Sequence, residues 1–234
     1  MRRWRTLVPG ALRRWWRRVD GVDMGDLRRM EPVSRSMGLD RGRPVCRYYI
    51  EGFLETHRAL IRGRVLEVAD DAYTRRFGGP HVTDSAVLHA VPGNAAATIV
   101  GDLATGAGLA GHRFDTVILT QVLQCIFDVG AAVKHVHGLL VPGGTALITV
   151  PAIAPVSRYD AERWGEYWHF STQSVRRLLA PVFGADRVVV AAFGNHVAAH
   201  AYLAGMAAEE LTSSELAARD EDYPVVIAAT ATRA

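Results

Sequence analysis

Two stretches decide the fold: His112-Arg113-Phe114-Asp115-Thr116-Val117-Ile118-Leu119-Thr120-Gln121-Val122-Leu123 and Leu139-Leu140-Val141-Pro142-Gly143-Gly144-Thr145-Ala146-Leu147-Ile148-Thr149-Val150-Pro151. Phe114–Leu119 and Thr145–Val150 are apolar runs of strand length, rich in β-branched residues. Continuous rather than alternating apolarity is what a strand buried on both faces requires, and parallel sheets are built of such strands. Between them, residues from about Val129 to Leu140 read as a helix, broken by Pro142-Gly143-Gly144. Strand, helix, tight turn and strand make one βαβ unit.

The same alternation extends outward in both directions. Towards the N-terminus, Val65-Leu66-Glu67-Val68 and Ala97-Thr98-Ile99-Val100 read as strands, and His81-Val82-Thr83 as a weaker one. A helix is expected over Tyr48–Ile61. Towards the C-terminus, Ser171 is a helix N-cap candidate for Thr172–Phe183. Arg187–Ala192 reads as strand, Val197–Leu211 as helix and Tyr223–Thr230 as the last strand. The expectation is an α/β fold: a Rossmann-like, doubly wound, mostly parallel seven-stranded sheet with helices on both faces, spanning residues 48–234. Ligands of such sheets bind at the carboxyl ends of the strands, where strand order reverses. Function is therefore sought just after Val68, Val82, Val100, Leu119 and Val150.

Residues 1–47 form an arginine-rich N-terminal extension and linker. They carry 13 arginines against five acidic residues, whereas residues 48–234 carry a net charge of −5. The basicity therefore belongs to the arm. On a helix starting near Pro9, Leu12, Trp15, Trp16 and Val19 share one face and arginines fill the other. Such a helix either contacts an anionic membrane surface or a protein partner, or packs its tryptophans on its own domain. No apolar run reaches the roughly 20 residues needed to span a bilayer. The run Thr6–Leu12 is too short for a secretory signal. Cys46 and Cys125 form no ligand cluster, so no metal site is expected, and a reducing cytoplasm is the expected compartment.

Several strand ends resemble those of class I S-adenosylmethionine-dependent methyltransferases. The segments are Arg64-Val65-Leu66-Glu67-Val68-Ala69-Asp70-Asp71-Ala72-Tyr73, Ala97-Thr98-Ile99-Val100-Gly101-Asp102-Leu103, and the two stretches quoted first. Residues 46–51, 73–79 and 163–171 are similar to small bacterial members found beside glycosyltransferases. The resemblance implies S-adenosyl-L-methionine as cofactor. Glu67, Ala69 and Asp70 would border its methionine part, Asp84 its ribose, Asp102 and Leu103 its adenine, and Thr120 and Gln121 the side facing substrate. Asp84 reads equally as a turn-forming aspartate. The chain departs from the family where glycines are usual: Ala69, Asp71 and Tyr73 stand there, and Tyr73 should narrow the turn.

The segment after the fifth strand should hang over the cleft. It offers Trp164, Glu166, Tyr167 and Trp168 as a substrate platform and His169 as a base for a hydroxyl acceptor; Gln124 is a candidate for orienting substrate. Aromatics with carboxylates suit a sugar or a flat ring, and they equally suit a packed lid. His196 and His200 are spaced as a metal pair without a third ligand. The resemblance implies methyl transfer to a small molecule, chiefly a hydroxyl of a sugar or a glycosylated or secondary metabolite. The alternative is a catalytically inactive relative serving as a binding or scaffold partner of a biosynthetic enzyme. Nucleic-acid methylation is not expected, since the domain is acidic and carries no Asn-Pro-Pro-Tyr or Asp-Pro-Pro-Tyr motif.

Overall fold

The structure, a computed structural model, describes residues 25–234. The chain divides into two units, residues 1–32 and 33–234. In the first, Gly25–Arg28 forms a single 3-10 turn. The helix expected from Pro9, and with it the membrane or partner contact read from that helix, lie outside the described residues.

The second unit begins with helix α1 (Val45–Thr56), followed by strand β1 (Gly63–Val68), β2 (Val82–His89), β3 (Ile99–Val100) and β4 (Phe114–Thr120). Helix α2 (Val129–Leu139) leads into β5 (Leu140–Pro151). After α3 (Arg158–Arg163) and α4 (Thr172–Phe183) come β6 (Val188–Phe193), α5 (His196–Ala204), α6 (Ser213–Ala217) and β7 (Val226–Thr232). The seven strands lie in the order β3-β2-β1-β4-β5-β7-β6. β1 to β5 pair in parallel, and β7 runs antiparallel to both β5 and β6. Strand order reverses between β1 and β4.

Alternate side chains of each strand feed two cores. Leu66, Val117, Leu119, Ile148 and Val150 pack with α2 and α4 on one face. Val65, Ile118, Leu147 and Ala228 pack with α1 and α5 on the other. Because both faces are covered, the central strands carry apolar residues without alternation, as their sequences show. Asp128 caps α2 by accepting from Ala131 N, and Ser171 caps α4 through a reciprocal box with Ser174.

Several boundaries differ from the sequence expectation, each for a local reason. β2 runs eight residues instead of His81–Thr83, because its amino half is an exposed edge where Thr83, Asp84 and Ser85 hide the strand pattern. The Pro142-Gly143-Gly144 turn is absorbed into the start of β5 as a bulge: Phe114 pairs with Leu140, yet Thr116 pairs with Thr145. A Cβ on Gly144 would sit 2.9 Å from Val141 O and 3.1 Å from Phe114 O, so only glycine fits there. The helix expected to Leu211 stops at Ala204, where Gly205 takes a left-handed φ of 78°. Residues 33–47, expected as a linker, are bound to the domain. Val33 N donates to Ala204 O (2.7 Å), and Ala208 N donates to Arg43 O (2.7 Å). Among the described residues no helix is long and apolar enough to cross a membrane.

Candidate active site

The carboxyl ends of β1, β4 and β5 open onto a cavity of about 290 Å³. Its floor is Glu67, Val68, Ala69 and Asp70 from β1 and the following turn. Thr120, Gln121 and Gln124 come from the end of β4, and Ser157, Asp160 and Glu166 from the segment after β5. The opposite wall is Cys46, Arg47 and Ile50 of α1 with Tyr202 of α5.

Glu67 is the most constrained group in the cavity. It is 2% exposed, and its carboxylate is wrapped by the turn that follows. Oε2 accepts from Thr74 N and Thr74 Oγ1, both at 2.7 Å, and Oε1 accepts from Tyr73 N at 3.2 Å. Burial pushes its pKa up to about 7, and these three donors only partly offset it. The donors are the first residue and the N-cap of a π-helical turn, Thr74–Gly78, that directly follows the glycine-poor stretch 69–73. π turns of this kind recur at functional sites.

Of the three positions where the family usually has glycine, only Ala69 takes a positive φ. Ala69 holds φ 75°, the left-handed conformation that glycine would supply. Its N–H donates to Leu88 O, and its carbonyl accepts from the Asn94 side chain at 2.7 Å. Two bonds from neighbouring segments thus hold Ala69 in a conformation costing roughly 1–2 kcal/mol for an L-residue. Gln121 has φ 55° and is held by a bond from its N–H to Thr149 O (2.9 Å). Tyr73 does not close the cavity. It forms part of the wall together with Val68 and Thr120, its ring stacked on Phe77 with centroids 6.0 Å apart.

The acceptor side carries polar groups with spare capacity. Gln124, 6% exposed, donates through Nε2 to Gln121 O, which leaves its Oε1 buried without a partner. Gln121 Nε2 and Thr149 Oγ1 are buried and unpartnered as well. Glu166, with a side chain only 6% exposed, accepts from Ser157 N. Burial raises its pKa above the usual carboxylate range. His169 Nε2 stands 3.7 Å behind it, half-exposed and off the cavity wall. Tyr202, 4% exposed, donates its hydroxyl to Met37 Sδ at 3.4 Å.

The expected site residues therefore fall into two groups. Glu67, Ala69, Asp70, Thr120, Gln121, Gln124 and Glu166 share the cavity. Asp84 does not belong with them: it lies in the amino half of β2, opposite Arg64, and pairs with that side chain at 2.8 Å. The carboxyl end of β2 is His89, whose ring meets Trp164 edge-on at 5.2 Å. No carboxylate occurs from His89 to Thr98. Asp102 spends its carboxylate on its own loop, accepting from Ala104 N (2.7 Å) and Thr105 Oγ1 (3.0 Å). Leu103 is a core side chain, 5% exposed. Tyr167 and Trp168 lie outside the cavity in an exposed aromatic cluster with Phe127, at centroid distances of 5.4 and 5.7 Å. The rings of His196 and His200 are 4.2 Å apart, and among the described residues no group of three candidate ligands exists.

Sequence reasoning missed Cys46, Arg47 and Tyr202 as wall residues. The first two lie in the Cys46–Glu51 stretch that carried part of the family resemblance. Tyr202 left no signal beyond helical periodicity.

No family model and no curated protein matches the chain. Solved structures do. An S-adenosylmethionine-dependent methyltransferase from Archaeoglobus fulgidus matches with TM-score 0.53 and 10% identity, over 80% of this chain and 94% of that one. The plantazolicin methyltransferase BpumL, in complex with a triazolic desmethylPZN analog and S-adenosylhomocysteine, matches with TM-score 0.52 and 10% identity, over 85% and 88%. The CurJ carbon methyltransferase matches with TM-score 0.51 and 17% identity, over 85% and 57%. The chain has the class I fold of S-adenosylmethionine-dependent methyltransferases, and within that fold the cofactor product is bound in the BpumL structure.

Proposed function

We propose that the chain is an S-adenosylmethionine-dependent methyltransferase acting on a small molecule, with a hydroxyl of a sugar or of a glycosylated or secondary metabolite as acceptor. The observation that carries this reading is the open cavity at the β1/β4 switch point, where a buried carboxylate and a left-handed, non-glycine backbone meet. That combination fits the methionine end of the cofactor. Glu67 has accepted three hydrogen bonds, and an ionised carboxylate has room for about four. One position is left for an ammonium group, and ionisation would be favoured by it. Ala69 and Asp70 would border the same end, with Thr120 and Gln121 on the side facing the acceptor.

The cofactor supplies an electrophilic methyl group; the protein supplies position and a proton acceptor. Glu166 is the carboxylate best placed to receive the acceptor's proton, and Asp160 shares its wall. His169, which the sequence offered as the base, is assigned instead to orienting Glu166 from behind. The orphan Gln124 Oε1 is a natural acceptor for a second hydroxyl of a polyol. The BpumL complex, which holds a triazolic desmethylPZN analog and S-adenosylhomocysteine together, supports the small-molecule class by analogy of fold.

One observation favours the second reading, an inactive binding or scaffold relative: β2 ends without a carboxylate for the ribose hydroxyls. Titration calorimetry with S-adenosylhomocysteine separates the two. Micromolar binding, followed by transfer of labelled methyl from the cofactor to a panel of sugars and glycosides, supports the enzyme. No binding up to millimolar concentration overturns it and leaves the scaffold reading.

A further inference from the structure

A second concavity, of about 490 Å³, lies on the other flank of α1. The helix turns Cys46, Arg47 and Ile50 to the first cavity and Tyr48, Tyr49 and Gly52 to this one. Three arginines from three separate segments line it: Arg43 before α1, Arg76 in the π turn and Arg219 after α6. Each guanidinium lies over an aromatic ring. Arg43 sits 4.9 Å from the Tyr48 centroid, Arg76 5.0 Å from Phe77 and Arg219 4.3 Å from Phe193. Stacking of this kind holds the planar cation by its face and leaves its N–H edge free to donate.

The charges within the groove do not cancel. Glu51, 8% exposed, pairs with Arg43 at 3.2 Å and Arg76 at 2.8 Å. Glu55 is engaged by Arg58 at 3.1 Å. Arg219 has no ion pair among the described residues. Arg43 is also paired with Glu209 at 3.7 Å, so three guanidiniums face two carboxylates and leave an excess of one positive charge.

The unpartnered atoms point the same way. Tyr49 is 4% exposed and its hydroxyl has no hydrogen-bond partner. Arg43 Nε is buried and likewise unpartnered, with Glu209 Oε1 3.7 Å away. A buried donor left unmatched destabilises the fold unless a ligand satisfies it. Burial pushes the Tyr49 phenol up to about 12 while the Arg219 charge pulls the other way, so the hydroxyl sits as a neutral donor within that cation's field. Two orphan donors and one uncompensated positive charge lack one thing, an oxyanion. A carboxylate would satisfy one guanidinium fork and carry one charge. A phosphate monoester has three acceptor oxygens, enough for the Arg219 fork, Arg43 Nε and the Tyr49 hydroxyl together, where a carboxylate has two.

We propose that this groove is a phosphate site, taking free phosphate or a phosphate monoester on Arg219, Arg43 and Tyr49. The site is separate from the cofactor cavity and stands whether or not the methyltransferase reading holds. The test is titration of the full chain with inorganic phosphate and, separately, glycerol 2-phosphate, at constant ionic strength in chloride, followed by calorimetry. The expected result is saturable binding with Kd near or below about 1 mM. Arg219→Gln should weaken it about tenfold or more, and Arg219→Lys should recover only part. Tyr49→Phe is the discriminating variant. It removes the orphan hydroxyl, so it should raise the urea midpoint of the free protein while weakening phosphate by roughly threefold to tenfold, the loss expected for one hydrogen bond. A purely structural Tyr49 would not move the two in opposite directions. Tighter binding of the ester identifies a phosphorylated metabolite as ligand, and equal binding identifies free phosphate. Absence of saturation in the wild type by about 20 mM, far above the Kd expected here, overturns the proposal. Equal affinity in the wild type and Arg219→Gln does so too.

Discussion

Replacing Glu67 with glutamine removes a buried negative charge while keeping the shape of the side chain. Carrying a carboxylate from its ordinary 4.5 up to about 7 corresponds to about 3 kcal/mol. The sign follows from proton binding. Between pH 4.5 and 7 the folded chain holds a proton on Glu67 that the unfolded chain has lost. The stability this group gives is complete below pH 4.5 and declines as pH rises to about 7. The wild type should therefore lose about 3 kcal/mol over that window from this residue, and Glu67→Gln should lose none of it. The amide brings its own cost. Glutamine offers one acceptor oxygen where the carboxylate has two, and Tyr73 N, Thr74 N and Thr74 Oγ1 all require acceptors. One of them goes unmatched, at about 1–3 kcal/mol. At pH 5 the variant should thus be less stable than the wild type by about 1–3 kcal/mol; at pH 8, after the wild type alone has lost about 3 kcal/mol, the variant should equal it or exceed it by up to about 2 kcal/mol. Urea unfolding at both pH values measures the difference directly, and groups unrelated to residue 67 cancel between the proteins. Parallel pH profiles would refute the account of Glu67 as a carboxylate held in a low-dielectric floor. The same variant should weaken S-adenosylhomocysteine by about tenfold to a hundredfold, the loss of a hydrogen bond to a charged group. In the wild type that affinity should rise as pH passes upward through about 7.

Other substitutions test single features. Asp84→Asn should leave S-adenosylhomocysteine affinity within about twofold and cost under about 1 kcal/mol, because its pair with Arg64 is exposed and at the wrong end of β2. Ala69→Gly should stay within about 1 kcal/mol of the wild type, backbone relief offsetting the entropy of glycine in the unfolded chain. Ala69→Val should lose more than that by urea titration, since β-branching tolerates φ 75° poorly. Asp128→Ala removes the α2 cap and should cost about 1 kcal/mol, or roughly 2–4 °C in Tm. Glu166→Gln should lower kcat far more than His169→Gln. Wild-type activity should climb as pH passes up through the elevated pKa of Glu166, since only the ionised carboxylate takes a proton.

Much of the cavity floor was legible in the sequence because it lies at strand ends. Glu67 lies in, and Thr120 and Gln121 follow, short β-branched apolar runs that read as buried strands, and a parallel strand delivers its carboxyl end to the ligand side wherever it stands in the sheet. Asp84 was misplaced for a related reason. Reading β2 as three residues put its end at Val82–Thr83, whereas pairing with β1 carries the strand to Leu88 and pairing with β3 carries it on to His89. The exposed amino half of an edge region has no apolar pattern to read, so its length is set by hydrogen bonding to a neighbour. Glu166 and His169 could not be ranked from sequence for a similar reason, and only Glu166 lines the cavity. Three residues apart in one irregular segment, they differ only in which points inwards, and no periodicity governs a loop.

The sequence by itself determined the layered α/β architecture, because strand and helix periods are local and Pro142-Gly143-Gly144 and Gly205 enforce backbone paths few other residues allow. Only the tertiary structure decided what closes the cavity and what lines the arginine groove. Cys46 and Arg47 meet Tyr202 across more than 150 residues of chain, and Arg43, Arg76 and Arg219 converge from three segments. Such meetings depend on sheet order and on which flank of a helix faces the core. Those follow from burying both faces of the whole sheet at once, not from any window of neighbouring residues.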